Sequence, residues 1–122
     1  MQNDKEKLKN DFRFRIKKFI LDLISFLNSL QKNPSNDVIG RQLLRSGTSI
    51  GGNYIEAQAA SSKKDFTNFF QIALKSAVES QFWLELINDT NNNPLMGIKL
   101  LDEVKQLSNI LGSSVLKLKG KK

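Results

Sequence analysis

The sequence contains neither cysteine nor histidine among its 122 residues. Without cysteine no disulfide can form, so nothing in the composition indicates a secreted, disulfide-stabilised protein. Thiolate and imidazole sites for zinc or copper are excluded. Cysteine–histidine and serine–histidine–aspartate nucleophile arrangements are excluded too, as is a histidine general base. We therefore expect no metal and no other cofactor.

Long apolar runs are missing as well. The longest, such as Phe19 to Leu21, fall far short of the roughly 20 residues that span a bilayer. The N-terminal segment MQNDKEKLKNDF is charged and lacks the apolar centre of a signal peptide. These absences predict a cytoplasmic protein with no membrane partner.

Acidic residues are outnumbered, because 12 Asp and Glu stand against 19 Lys and Arg and give a net charge of +7. Such a charge favours polyanionic partners, RNA or DNA above all. With 39% hydrophobic residues and eight phenylalanines, the chain can form a real core. We expect one domain over residues 1–122.

Apolar residues recur at spacings of three and four along four segments, as they do in helices that bury one face. We predict helices over about 5–31, 36–60, 63–88 and 94–117. Asn33-Pro34 should end the first helix, Ser62 can cap the third, and Pro94 suits the first position of the fourth. A polar loop is expected over residues 88–93.

Short connections make neighbouring helices antiparallel, so the predicted fold is an all-α, up-down-up-down four-helix bundle. The third predicted helix has apolar residues on both halves of its surface, for example Phe70 and Phe82. A bundle of this size can hardly cover both halves within one subunit. The pattern therefore predicts a homo-oligomer.

Gly47, Gly51 and Gly52 lie close together inside the second predicted helix. Each costs about 0.8–1 kcal/mol of helix stability relative to alanine. Close packing of another helix would offset that cost, and so would close approach of a ligand. A break in the helix at Gly51-Gly52 is the third interpretation.

The same helix carries a short polar stripe on the side away from its apolar face, formed by Arg45, Ser49, Asn53 and Glu56. It can be a hydrogen-bonded network at an interface, with Arg45 pairing Glu56 or Glu79 of a neighbouring helix or subunit. It can also be a ligand or phosphate site, or solvated surface. The residues that we assign to a polar site or interface are Arg45, Ser49, Asn53, Glu56, Glu79 and Trp83.

Residues 43–87 carry a recognisable pattern. It consists of Arg45, Ser49-Ile50, Asn53, Glu56, Ser62-Lys63-Lys64-Asp65-Phe66, Ala73-Leu74, Glu79 and Trp83-Leu84. This pattern resembles the small bacterial four-helix-bundle family named after the 23S rRNA intervening-sequence protein. The chain departs from a common form of it, because Ala57 follows Glu56 where glycine is usual. Gly51-Gly52 also stands where proline, alanine or serine often occurs.

The resemblance implies bundles that assemble into five-fold, pentameric rings. It also implies a fold similar to that of the accessory protein of diversity-generating retroelements, which works with a reverse transcriptase and binds nucleic acid. In a ring the basic N-terminal segment and the basic tail, Lys117 to Lys122, would be repeated around the rims. Repeated lysines and arginines suit a phosphate backbone. The residues predicted to contact RNA or DNA are Arg13, Arg15, Lys17, Lys18, Arg41, Lys63 and Lys64.

The sequence thus predicts a non-catalytic, basic, oligomeric bundle that binds RNA or DNA and associates with rRNA. The alternative is a protein–protein interaction scaffold with no nucleic-acid partner, in which the basic surface serves solubility. A metal-dependent nuclease would need clustered carboxylates, for which Glu56, Glu79 and Glu85 are the only plausible set. Their spacing does not mark a metal site, so we expect no enzyme activity.

Overall fold

The computed structural model describes residues 3–120 and has four helices in that range. They are α1 (Asp4–Ser29), α2 (Pro34–Gln58), α3 (Lys63–Thr90) and α4 (Leu95–Leu118). The predicted helix bounds agree with these to within two residues, and residues 3–120 contain no strand. The all-α, four-helix prediction is confirmed. Lys121 and Lys122 of the predicted basic tail lie outside the described residues.

Side-chain caps begin the first three helices. Asn3, Asn33 and Ser62 each accept a hydrogen bond from the backbone N–H three residues further on. Such a bond satisfies one of the free N–H groups of a first helical turn. Pro34 is the first residue of α2, whereas α1 already ends at Ser29. The prediction that Asn33-Pro34 ends the first helix was therefore wrong, because that pair begins the second.

The connection between α3 and α4 is shorter than predicted, because α3 continues to Thr90. Asn92 and Asn93 then adopt φ angles of 61° and 51°, a left-handed conformation that asparagine tolerates better than most residues. The Asn93 N–H donates to the Asn88 carbonyl over 2.8 Å. Pro94 is the N-cap of α4 and not its first residue, so four residues, 91–94, connect the two helices.

Each helix packs against two others. In residues 3–120, the backbone of α1 approaches those of α2 and α4, and the backbone of α3 approaches the same two, with no close backbone approach across either diagonal. The four buried faces enclose one core. Its largest fully buried apolar side chains are Phe19, Leu23, Leu43, Ile50, Leu84, Ile87, Val104, Leu107 and Leu111. None of these helices is both long enough and apolar enough to cross a membrane.

Two of the four glycines of α2 are explained by packing against α1. A Cβ at Gly47 would lie 2.5 Å from Cδ2 of Leu23, and one at Gly51 would lie 2.9 Å from Cδ1 of Ile20. Since real Cβ atoms do not approach so closely, the ends of these two α1 side chains occupy space that glycine leaves free. The helix is unbroken through Gly51 and Gly52, and a Cβ at Gly52 would meet nothing within 4 Å.

The outer surface of α3 is apolar in part, as its two-sided pattern predicted. Val78 and Phe82 are each 53% exposed, and Ile72 is 43% exposed. Trp83 is half-buried and packs beside Phe82, with ring centroids 5.3 Å apart. Within one chain these side chains keep a large area in contact with water.

Candidate functional site

Serine hydroxyls join α2 to α3 in what we call the α2–α3 seam, which consists of Ser46, Ser49, Ser76 and Ser80. The hydroxyls of Ser46 and Ser80 lie 2.7 Å apart, and Ser76 donates to Ser49 over 2.9 Å. Ser46 and Ser80 are fully buried, and Ser80 also donates to the Ser76 carbonyl. Small side chains let the two helices approach closely, and their buried hydroxyls are satisfied.

Half of the predicted polar stripe belongs to this seam. Asn53 donates to both the carbonyl and the hydroxyl of Ser49, each over 2.9 Å, and both residues are half-buried. The expectation that the stripe lies wholly opposite the core was wrong. Because α2 packs against α1 on one side and α3 on the other, its covered surface is wider than one apolar stripe.

The outer half of the stripe forms a different cluster. The Arg45 guanidinium donates to the Glu79 carboxylate and to Gln42, and the Trp83 indole N–H donates to the same carboxylate over 2.8 Å. The Arg45 and Glu79 side chains are 57% and 37% exposed. Arg45 therefore pairs with Glu79 of a neighbouring helix, one of the two partners named as possible.

Glu56, the other possible partner, does not reach Arg45. Eleven residues separate them along α2, which corresponds to roughly 16 Å of helix axis. Glu56 is exposed and forms no ion pair within residues 3–120. In that same range no three acidic side chains gather as metal ligands, so Glu56, Glu79 and Glu85 do not form a carboxylate cluster.

Two of the seven residues predicted to contact nucleic acid have acidic partners. Arg15 donates to Glu103 over 2.8 Å and to Gln106 over 3.1 Å. The hydrogen bond that Arg15 donates to Glu103 raises the pKa of the guanidinium, against the opposing effect of desolvation. Lys18 pairs with Asp22 over 2.8 Å. These two cations are the least available for phosphate.

Three others lie along the depression between α1 and α2, which we call the α1–α2 groove. Arg13 and Lys17 line a cavity of about 210 Å³ with Ile55, and Arg41 lines a cavity of about 270 Å³ with Leu44. The three cations are exposed, and none forms an ion pair in the described part of the chain. The two cavities are lined by different residues but lie between the same two helices, which the sequence did not show.

The last two, Lys63 and Lys64, lie at the end of the bundle where α3 begins. The start of α1 and the end of α2 meet there, because the Tyr54 hydroxyl donates to the Lys9 carbonyl over 3.2 Å and the Tyr54 ring contacts Phe70. We use the name basic end for the exposed lysines at the starts of α1 and α3, taken together with those at the end of α4: Lys5, Lys7, Lys9, Lys63, Lys64, Lys117 and Lys119.

Tyr54 is a structural residue on the buried face of α2. Helical spacing places it on one side of that helix with Leu43, Ile50 and Ala57, and all four are buried. Tyr54 is 3% exposed, and its ring packs edge-on against Phe12 with centroids 5.3 Å apart. Burial raises the pKa of its hydroxyl above the ordinary value, while the charge of Arg13 acts in the opposite direction. The sequence did not show that this hydroxyl bonds to Lys9.

Comparison with known proteins agrees with the resemblance seen in residues 43–87. The family described as 23S rRNA-intervening sequence protein matches residues 10–113. A crystal structure from Bacteroides thetaiotaomicron, described as a protein of unknown function from the S23 ribosomal protein family, is similar at 31% identity. That similarity covers 88% of this chain and 96% of the other, with a TM-score of 0.79. No curated protein matches the sequence.

Proposed function

Because this chain belongs to the 23S rRNA-intervening sequence protein family, we propose that it is a non-catalytic, homo-oligomeric protein of the bacterial cytoplasm that binds the phosphate backbone of RNA or DNA. Ribosomal RNA is the first candidate, on the strength of the family's name alone. The observation that carries the proposal is the basic end. Seven exposed lysines from three helix termini occupy it, against Asp4 and Glu6 of α1, Glu56 near the end of α2 and Asp65 of α3.

Lysine is well suited to this role, because its ammonium group is a mobile point charge that follows a phosphate chain without reading bases. None of the seven lysines forms an ion pair in residues 3–120. Arg15 and Lys18, which do, are therefore removed from the proposed contact set. Lys63 and Lys64 remain in it.

The arrangement of the bundle supports the concentration of charge at one end. Ser46 and Asn36 of α2 pair with Ser80 and Asn91 of α3, so later residues of one helix meet earlier residues of the next. We infer an antiparallel, up-down-up-down bundle from such pairs. We further propose a homo-oligomer, with the five-fold ring suggested by the family resemblance, in which the basic ends recur around a rim and bind one strand together.

Salt-dependent binding tests the proposal. Labelled single-stranded RNA and duplex DNA are titrated with protein by fluorescence anisotropy at several salt concentrations. A complex with about 6–10 phosphate contacts loses roughly 10³–10⁵ in affinity between 50 and 200 mM salt. Affinity that does not change with salt would contradict backbone binding.

A matched pair of variants locates the contact. Lys63→Gln/Lys64→Gln removes two charges from the basic end, and we expect weaker binding with a salt slope reduced by about one for each lost phosphate contact. Lys32→Gln/Lys99→Gln removes the same charge from exposed positions beyond the end of α1 and near the start of α4, and should bind as the wild type does. Equal losses in both variants would indicate attraction by net charge only.

The alternative, a protein-interaction scaffold, is favoured by one observation. Val78 and Phe82 of α3 are more than half exposed, and exposed apolar surface of this kind is typical of protein contacts. The same titration decides between the two functions. A chain that assembles but binds neither RNA nor DNA at low salt would have to be assigned to the scaffold.

A further inference from the structure

Two exposed surfaces of this chain are complementary to each other. The first is the α1–α2 groove, where Arg13 and Lys17 lie beside Ile55 in one cavity and Arg41 lies beside Leu44 in the other. Leu44 and Ile55 are 37% and 40% exposed. Asp37 also lines the groove near Arg41, which leaves the groove with a net positive charge. The surface therefore suits an apolar segment that carries acidic residues.

The second surface is the outer face of α3. Val78, Phe82, Glu85 and Asp89 follow one another at spacings of four, three and four, so they share one side of the helix. All four are exposed, and neither acid forms an ion pair in residues 3–120. Lys75 borders the face one turn earlier. The outer face of α3 thus presents two apolar side chains followed by two acids, a pattern that is complementary to the groove in both polarity and charge.

Gly52 is compatible with a close contact in this groove. An added Cβ would meet nothing within 4 Å in its own chain, so its position is open to a neighbour from outside. It lies inside α2, where glycine weakens a helix, and it lines the groove beside Ile55. With no side chain here, a second backbone can approach closely.

We propose that the outer face of α3 in one copy of this chain docks into the α1–α2 groove of a second copy. In residues 3–120, the backbones of α1 and α3 do not approach each other closely, and both surfaces are open. Each copy can therefore use both at once. Such a head-to-tail contact builds a ring when its rotation closes. The inference rests on the proposed homo-oligomer and names the two surfaces that form it.

Charge reversal tests the pairing through the mass of the particle, measured by light scattering and native mass spectrometry across a dilution series. Arg41→Glu and Glu85→Arg should each raise the subunit dissociation constant at least tenfold, since each places like charges together. Combining the two reversals in one chain restores opposite charges, so assembly should return to near the wild-type dissociation constant. A double variant that is weaker than either single variant would overturn the pairing.

Two glycine substitutions supply a matched steric test. Gly52→Ala adds a methyl group to the groove and should weaken assembly at least about fivefold by overpacking the contact. Gly112→Ala adds the same group to α4, where the nearest heavy atom is 4.0 Å from the new Cβ, and should leave assembly unchanged. Circular dichroism confirms that both variants keep their helices. Equal behaviour of the two in the dilution series would count against a close approach at Gly52.

The outcomes separate this inference from the proposed function. A wild-type chain that stays monomeric at micromolar concentration overturns both the oligomer and the docking of α3, but leaves backbone binding by the basic end to be judged by its own titration. If the oligomer is left intact by both single charge reversals, by their combination and by Gly52→Ala, only the choice of surfaces is overturned. If Arg41→Glu lowers RNA affinity without changing particle mass, the groove is a nucleic-acid surface and the docking proposal is wrong.

Discussion

The two sides of α2 meet their neighbours in different ways. Toward α3, the α2–α3 seam contains small hydroxyl side chains, and Ser46 and Ser80 lie 2.7 Å apart with no exposed surface. Toward α1, large aliphatic side chains fill the places left by glycines, as Leu23 does at Gly47. The backbones of α2 and α3 also approach each other more extensively than the backbone of α1 approaches that of α2 or α4.

This difference separates two sources of stability. The contact with α1 depends on apolar volume, so its loss creates a cavity in addition to the lost transfer free energy. The seam depends on short side chains and satisfied hydroxyls, each of which contributes little net but is costly when left unpaired. The contact with α1 should therefore be the more sensitive to a change in side-chain size. The seam should be the more sensitive to a substitution that leaves one buried hydroxyl without its partner.

The largest effect is expected from Leu23→Ala, because Leu23 is fully buried against Gly47. We expect a loss of about 2–5 kcal/mol in the free energy of unfolding, measured by urea denaturation. Adding Gly47→Ala should recover part of that loss, since the new methyl group enters the vacated space and alanine favours the helix. If Gly47→Ala destabilises the Leu23→Ala variant further, close packing does not explain this glycine.

A smaller effect is expected in the α2–α3 seam. Ser80→Ala removes one hydroxyl and should cost about 1 kcal/mol. Because Ser46 also bonds to the Leu43 carbonyl, it keeps a partner. The double variant with Ser46→Ala should lose less free energy of unfolding than the two single variants added together, since it removes both hydroxyls and leaves neither without its partner. Strict additivity in urea denaturation would show that the two hydroxyls are not coupled.

The pH dependence of Tyr54 tests how α1 is held to α2. Burial raises the pKa of its hydroxyl in the folded chain, so folding favours the protonated form. This contribution is complete below the ordinary value of about 10 and is lost as pH rises through the raised folded value. Phenolate absorbance should therefore develop at higher pH in the folded than in the urea-unfolded chain, and the single tyrosine makes the signal specific.

Tyr54→Phe is the control for that titration. It removes the hydroxyl and its bond to Lys9. As the pH is raised into the alkaline range, the melting temperature of this variant should therefore fall less than that of the wild type. Identical absorbance curves for the folded and unfolded wild-type chain would contradict the burial effect.

The smallest effect is expected at the outer cluster. Arg45 and Glu79 form an ion pair whose side chains are 57% and 37% exposed, and exposed pairs contribute about 0–1 kcal/mol. Arg45→Ala should therefore leave the melting temperature almost unchanged. Trp83 fluorescence should shift, because its N–H partner Glu79 loses its cation. A large drop in stability would mean that this cluster is buried against another subunit.

Sequence reasoning succeeded where the determining interactions are local. Ser62 caps α3 as predicted, because a cap bond joins residues only three apart. It failed at Asn33-Pro34, since a residue pair that cannot continue one helix is equally suited to begin the next. It also could not foresee that Arg15 pairs with Glu103, 88 residues away, because helical periodicity indicates a face and not what covers it.

The amino-acid sequence by itself determined four helices, their caps, a positive charge and membership of a family. Those features follow from interactions within one or two turns, or from composition. Only the tertiary structure decided that Ser49 and Asn53 belong to a buried seam while Arg45 stays outside, and that Gly52 has no neighbour in its own chain. The physical reason is that helix rotation and spacing are set by side chains from all the neighbours at once.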